Sequence, residues 1–425
     1  MRASPKQKVF VAVSGGVDSA VALALLKKQG YGVVGCFMKN WSADLPGLQC
    51  NWAGDREDAM RVCAALGVPF RTVDFEKEYR ERVFSYFINE YKRGRTPNPD
   101  VMCNAEIKFK AFLNWARKNG ADMIATGHYA RIRTQNAKRK AQNHNAKFKT
   151  FRLLAAKDKN KDQSYFLYRL GQKELRHTLF PIGEYTKPEV RAMARKFRLP
   201  VADKPDSQGV CFVGEVALRE FLKNWIPERA GKIMLLPKIH SDVLENIGTR
   251  NASGTSRHPR RSALPRRFGR DPDFLCQKIE ASGLSASIRV LGEHPGVQYF
   301  TIGQRHGLGL PGGAGEKLYV VAKDVRRNIL YVGPKNHPLL SWKALLLADV
   351  HWTSGKPPRL PLRCKARTRY RQPLQSCRIE KFKIRNSKFE IRAIFDRPVW
   401  APAPGQSVVC YKNGEVLGGG IITIS

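Results

Sequence analysis

The chain has 425 residues, 42% of them hydrophobic; that length calls for two or three domains, and that apolar content excludes wholesale disorder. No apolar run nears the roughly 20 residues that span a bilayer, and no apolar segment with a cleavage site follows the short basic stretch 1–8, so the chain reads as cytoplasmic. A formal charge of +39 exceeds what solubility requires and points to nucleic acid, although charge alone leaves open a basic proteome or an anionic membrane surface.

Residues 9–13 (VFVAV) read as a buried strand that runs into SGGVDS at 14–19, and 20–28 is apolar at helical spacing up to Gly30. A second strand is expected over 33–38, an amphipathic helix over 55–66, a third strand over 70–74 and a long helix from about 76 to 92. A helix over 107–118 and a strand over 123–126 continue the alternation. Strands alternating with helices of this length give a parallel, Rossmann-like α/β sheet, assigned here to 1–206. Within it, 134–150 holds five basic residues and no acid, which reads as an exposed arm or hairpin tip.

A small central domain is expected over 207–315. Its segment from about 234 to 288 is rich in Ser, Pro and Arg, with seven arginines and no acid between 250 and 270. Such a stretch buries too little apolar surface to offset its ordering entropy, and composition does not distinguish an RNA contact from a passive insertion. After Tyr319 short alternating strands follow (LYVVAKD, ILYVG, LRCKARTRY, FEIRAIF, SVVCYKN, VLGGGIIT). They suggest an antiparallel barrel or sandwich over 316–425. This part carries 21 Lys and Arg against 7 Asp and Glu.

The nine cysteines form no Cys-x-x-Cys and no zinc-finger spacing, so most read as small buried hydrophobes. The strand–SGGVDS–helix junction carries more information. Gly15 and Gly16 let peptide N–H groups approach a phosphate, the hydroxyls of Ser14 and Ser19 add donors, and a helix N-terminus favours an anion. There is no Walker lysine. A simple turn capped by Asp18 would leave the other residues unexplained. Two cysteines stand apart: Cys103 beside an acid in TPNPDVMCN, a proline-stiffened loop expected just before a helix, and Cys211 in DSQGVCFVGE. A helix N-terminus raises the thiolate fraction; core filling is the alternative for both.

SGGVDS resembles the pyrophosphate-gripping loop of the PP-loop ATP pyrophosphatases. That superfamily includes enzymes of nucleotide amidation, argininosuccinate synthesis, lysidine formation and RNA thiolation. Further blocks narrow the choice: FMKNW (37–41), GRTPNPDVMCNAEIKFKAFL (94–113), ATGHYAR (125–131), KDKNKDQSYFLY (157–168), DSQGVCFVGE (206–215), TIGQRHGLGL (301–310), RTRYRQ (367–372) and PGQSVVCYKNGEVLGGGII (404–422). Together, in one order over nearly the whole chain, they are similar to the tRNA-specific 2-thiouridylases; only 234–288 departs from that family.

The resemblance implies ATP on Ala12, Val13, Ser14, Gly15, Gly16, Val17, Asp18 and Ser19, with Met38 and Gly127 on the adenine and ribose side and Asp18 holding Mg²⁺. It implies adenylation of the 2-oxygen of the wobble uridine, then sulfur from a Cys211 persulfide. Cys103 attacks that persulfide, which releases sulfide or leaves a Cys103–Cys211 disulfide, and Asp100 serves as general acid and base. Asn98, Pro99 and Asp100, Lys161, Asp162 and Gln163, and Arg369 and Tyr370 are expected to meet RNA. From chemistry alone, Arg369 suits a phosphate and Tyr370 a stacked base, or RTRY is an exposed basic strand. His128 and Tyr129 read as packing and loop-forming residues. The implied partners are tRNAs for lysine, glutamate and glutamine and a persulfide donor, either a cysteine desulfurase or a sulfur-relay protein. Another PP-loop modification (2-thiocytidine or lysidine) and a non-catalytic RNA-binding protein are the alternatives. The paired cysteines disfavour lysidine synthesis, the missing Cys-x-x-Cys disfavours 2-thiocytidine, and the intact loop disfavours loss of catalysis.

Overall fold

The computed structural model describes residues 7–42, 52–138, 147–205, 218–237, 288–310, 316–383 and 389–423. Cys211, its whole DSQGVCFVGE block up to 217, and most of the basic insertion lie outside the described residues. Among these residues no helix is long and apolar enough to cross a membrane.

The first seven strands are β1 (Lys8–Ala12), β2 (Gly32–Lys39), β3 (Phe70–Asp74), β4 (Met123–Thr126), β5 (Ala130–Lys138), β6 (Lys147–Ala155) and β7 (Thr178–Leu179). Five of them form a parallel sheet in the order β3-β2-β1-β4-β7. The alternation of β1 explains why it is central. Val9 and Val11 enter one apolar cluster, with helix α1 (Val17–Lys28), while Phe10 and Ala12 enter the cluster on the opposite face. A strand covered on both faces is apolar at every position, as VFVAV is. The chain leaves β1 toward β2 on one side and returns to β4 on the other, so the strand order reverses beside β1. That is where open α/β sheets form a crevice at their carboxyl ends.

The other helices of this part are α2 (Trp52–Ala65), α3 (Glu76–Tyr79), α4 (Ser85–Lys92), α5 (Pro99–Met102), α6 (Phe112–Lys118), α7 (Gln172–Arg176) and α8 (Lys187–Lys196). Residues 76–92 are one helical run, as expected, with a π-helical turn at Arg80–Phe84. The next run differs from expectation. It begins at Pro99, not near 107, and Cys103–Ala111 is π-helical before α6. Proline at the first helical position and Asn98 as N-cap, accepting from the Val101 N–H at 3.2 Å, start it early. The segment expected to be a stiff loop is therefore the first turn of the helix.

The middle of the chain adds β8 (Gly231–Leu235), β9 (Arg289–His294), β10 (Leu318–Asp324) and β11 (Ile329–Pro334), which form one sheet in the order β10-β11-β8-β9, with helix α9 (Leu218–Lys223) before it. The basic insertion thus connects two antiparallel partners, β8 and β9. Residues 318–334, grouped by their sequence pattern with the C-terminal strands, pair here instead, through β11 and β8.

The last six strands are β12 (Ser341–Trp352), β13 (Leu362–Arg367), β14 (Gln375–Lys383), β15 (Phe389–Trp400), β16 (Ser407–Lys412) and β17 (Glu415–Thr423). They close as an antiparallel barrel in the order β12-β15-β14-β13-β16-β17, with β17 returning to β12, so that among the described residues each of the six has a neighbour on both sides. The hairpin β5–β6 from the first part docks at β17, where Leu154 pairs with Glu415. Its strands confirm the expected arm; its tip, 139–146, lies outside the described residues.

Candidate functional site

The loop between β1 and α1 is closed on itself. The Ser14 N–H donates to the Ser19 hydroxyl at 3.1 Å, and that hydroxyl donates to the Gly16 carbonyl at 3.0 Å. Ser19 is thus a buried brace of the loop, and its hydroxyl is also 3.3 Å from that of exposed Ser14. Gly15 has φ +74°, and a Cβ there would run into the Asp55 carbonyl. Gly16 is the N-cap of α1 and provides no side-chain cap bond. The first turn of this 12-residue helix therefore has no side-chain cap on its amides, local chemistry that suits an anion.

Asp18 lies in the first turn of that helix. Its Oδ1 accepts from Lys187 Nζ at 2.7 Å and from the Tyr129 hydroxyl at 2.9 Å. Neither partner was singled out as functional from the sequence. Lys187 opens α8, where Thr186 and Glu189 form a capping box, and its own N–H donates to Asp158 Oδ2 at 2.9 Å. Bonds from the Thr186 backbone N–H and then its hydroxyl pull the Glu189 carboxyl down to about 2. A lysine at the first position of a helix opposes the helix dipole. That misfit was the available signal that an anion faces it.

Met38 is at the carboxyl end of β2, half-buried, and Gly127 follows β4. A Cβ on Gly127 would sit 2.6 Å from the Ser19 nitrogen, so this glycine is required for close packing on the start of α1. The next two residues hold the turn in place. His128 is bonded to Thr126 Oγ1 at 2.8 Å, and burial, then the charge of Lys108, pushes its pKa well below the usual 6.5. The Tyr129 N–H donates to Gln163 Oε1 at 2.9 Å, and the Gln163 N–H donates to the Tyr129 carbonyl at 2.9 Å.

Cys103 is buried, one turn into its helix, and Asp100 is half-buried in the first turn between buried Pro99 and Val101. This helix is locked to the nucleotide end: Phe109 packs against His128 at 5.7 Å between ring centres, and Cys103 shares an apolar cluster with Ala12 and Met38. Long π-helical stretches are rare and mark functional sites. The barrel holds the same segment from the other side. Gln406 Nε2 donates to the carbonyls of Thr96 at 2.9 Å and Pro97 at 3.2 Å, and the Thr96 N–H donates to the Pro404 carbonyl at 2.8 Å.

The residues expected to meet RNA divide into two groups. Asp162 is buried; its Oδ1 accepts from the N–H groups of Ala156 and Ser164, and its Oδ2 faces Arg367 Nη2 at 3.6 Å. Gln163 is occupied with Tyr129, as described. Arg369 Nη2 donates to the carbonyls of Ile302 at 2.9 Å and Ala401 at 2.8 Å, and burial lowers its pKa from the ordinary value. Withdrawing this guanidinium would strand two carbonyls at about 1–3 kcal/mol each, more than an exposed phosphate contact returns. These three side chains join parts of the protein. Asn98 caps its helix, and Lys161 is half-buried beside Asp158, whose carboxylate accepts its N–H at 3.1 Å. Tyr370 is different. It is half-exposed, with its ring 4.5 Å from Phe166 and the Arg371 guanidinium 5.2 Å from its centre. Phe166 in turn accepts from Asn104 Nδ2, beside Cys103, at 3.4 Å. An open aromatic platform thus adjoins the cysteine helix.

Among the described residues no group of three or more His, Cys, Asp or Glu could hold a metal ion. A magnesium ion that arrives on a nucleotide needs only one or two carboxylates, with phosphate oxygens completing its shell. Asp18, at the mouth of the anion site, fits that role. Near it, Lys204 Nζ bonds Asp55 Oδ1 at 2.8 Å and Asp58 Oδ2 at 2.6 Å. The chain is therefore anchored to α2, beside Gly15, just before the block that contains Cys211.

Family models match three stretches: a tRNA methyl transferase HUP domain over 7–215, a tRNA methyl transferase PRC-barrel domain over 273–334 and an aminomethyltransferase beta-barrel domain over 342–422. Among full-length relatives, a tRNA-specific 2-thiouridylase MnmA of Geobacillus thermodenitrificans (strain NG80-2) is 42% identical over 423 residues, covering 99% of this chain and 96% of that protein. Proteins of the same name from Nitrosococcus oceani and Nitrosomonas eutropha are 42% and 43% identical, covering 98% and 99% of this chain and 97% and 99% of theirs.

Proposed function

Because the chain belongs to the family of tRNA-specific 2-thiouridylases, we propose that it activates the wobble uridine of tRNA with ATP and replaces the 2-oxygen with sulfur. The observation that carries this reading is the uncapped start of α1, with Asp18 held between Lys187 and Tyr129 and the Cys103 helix packed on the same turn. A pyrophosphate cradle and a cysteine serve adenylation and sulfur transfer. Methyl transfer, which the family models' descriptions mention, needs neither.

In this reading the ATP phosphates rest on the α1 amides and Ser14, with Met38 and Gly127 beside the base and ribose. Magnesium bound through Asp18 and phosphate oxygens would neutralise charge on the departing pyrophosphate. Lys187 adds a positive charge at the same place, and Tyr129 and Gln163 fix the carboxylate's orientation. The uridine 2-oxygen attacks the α-phosphorus and pyrophosphate leaves. The base then carries AMP, a good leaving group, in place of a poor urea-type oxygen. Cys211 brings sulfur as a persulfide from a donor protein. Cys103 attacks the inner sulfur of that persulfide; the Cys103–Cys211 disulfide forms, the outer sulfur leaves as sulfide and adds to C2 as AMP departs, and Asp100 moves the protons. Tyr370 and Phe166 stack the extruded base, and the basic barrel and hairpin hold the phosphates.

Pyrophosphate release that depends on added tRNA tests the nucleotide half. Asp18→Ala or Lys187→Ala should lower it by about 10²–10³-fold, the usual cost of losing one preorganised electrostatic group. Undiminished release in both variants rules this site out.

A further inference from the structure

The barrel interior holds three thiols that the proposed reaction does not use. Cys364 on β13 lies directly opposite Cys377 on β14, with their sulfur atoms 3.6 Å apart. Cys410 on β16 is paired with Ala366, two residues from Cys364 and therefore on the same face. Cys377 and Cys410 are 0% and 1% exposed, whereas Cys364 is only half-buried. A reagent from solvent thus meets Cys364 first, with two buried thiols behind it.

The electrostatics match that order. Hydrogen bonds from Cys377 and then Cys410 hold the Cys364 thiol below its ordinary pKa, with help from Lys412 and against the effect of burial. The same bonds and burial push Cys377 and Cys410 up. One accessible sulfur is favoured as thiolate and its cross-strand neighbour is kept as thiol, which is the arrangement of an oxidisable cysteine with a resolving partner.

We propose that Cys364 and Cys377 are a site of oxidative modification, in which a peroxide converts the pair to a cross-strand disulfide. The Cys364 thiolate attacks a peroxide oxygen; the S–O bond forms, the O–O bond breaks and hydroxide leaves, giving a sulfenic acid. The Cys377 sulfur then attacks the Cys364 sulfur; the S–S bond forms, the S–O bond breaks, and the departing hydroxide takes the Cys377 proton and leaves as water. The peroxide gains the two electrons that the thiols lose. Directly opposed residues on neighbouring antiparallel strands have Cα separations within disulfide range, so closing the gap needs side-chain rotation and not a movement of strands. The bond would staple the base of the segment 365–376, which carries Arg367, Arg369 and Tyr370. This site does not depend on the thiolation reading.

The test uses the native full-length chain, reduced, freed of reductant and exposed to hydrogen peroxide, then alkylated and digested with trypsin without reduction. The expected product is the Cys364–Lys365 fragment joined to the peptide 372–378, two hydrogens lighter than their sum and separated again by reductant. In Cys377→Ser, the sulfenic acid on Cys364 should persist and be captured by dimedone. Full alkylation of both peptides after peroxide overturns the proposal, as does a bond from Cys364 to any other cysteine. If the serine variant does not fold, the peptide map of the unaltered chain decides alone.

Discussion

At the start of α1 the backbone amides have no side-chain cap and Ser14 is exposed, while at the end of β13 and in the turn after it two guanidinium groups are engaged within the protein: Arg369 with two carbonyls and Arg367 with buried Asp162. Both regions are rich in donors, but the first leaves over backbone amides at a helix start, whereas the second leaves over the Arg367 Nε and the exposed Arg371 guanidinium. An anion site requires that surplus. The barrel turn also offers an aromatic surface, the half-exposed Tyr370 beside Phe166 and Arg371. The first region thus presents main-chain donors at a helix start, and the second presents an aromatic surface on a segment tied down by Arg369.

The largest effects should come from separating the two regions chemically. Cys103→Ser or Cys211→Ser should reduce 2-thiouridine, read by nucleoside mass spectrometry, to background, while tRNA affinity stays within a few-fold. Undiminished product in either variant removes that cysteine from the sulfur route. Next come two neighbours of opposite character. Arg369→Ala should cost about 2–6 kcal/mol of stability in denaturant unfolding, because two carbonyls lose their donor. Tyr370→Ala should cost little stability but about 1–3 kcal/mol in tRNA binding, the value of a base stack. The reverse pattern would break the distinction drawn between them.

The smallest effect concerns pH. His128 is neutral and buried, its folded pKa below the unfolded value near 6.5. The unfolded chain therefore binds a proton that the native chain refuses, and stability present above pH 6.5 falls as pH drops below it, by about 1.4 kcal/mol per unit for one such group. His128→Asn should flatten that acid limb in unfolding curves between pH 6.5 and 5. The slope left over belongs to His294, His337 and His351, which burial also depresses. An unchanged slope would place His128 in a wetter site than the fold implies.

The parallel sheet was legible because VFVAV (9–13) is apolar at every position and runs into Ser-Gly-Gly, a pattern few alternatives share. The barrel was legible as a class, yet two of its strands, β12 and β14, were not anticipated: KALLLADVHW and QSCRIEKFK lack the turn punctuation and clean alternation that mark a strand. Strands β10 and β11 were seen as strands but grouped with the wrong neighbours, since pattern predicts a strand and not its partner. At the site, SGGVDS marked the strand–loop–helix junction but not that the Ser19 hydroxyl would brace the loop. Lys187, 169 positions from Asp18, is joined to it only by the fold. The bonds that Arg369 and Asp162 make within the protein were not legible, because sequence shows residue type and not burial.

The central claim, that one molecule couples adenylation at Ser14–Ser19 to thiolation, is tested most directly by following both products in one reaction. The purified chain is given ATP, magnesium, unmodified wobble-uridine tRNA and a persulfide donor, and pyrophosphate and 2-thiouridine are measured together. The account predicts that they rise in equal amounts and that both depend on tRNA. Formation of 2-thiouridine without pyrophosphate, or pyrophosphate with no thiolated base despite an active donor, would contradict it.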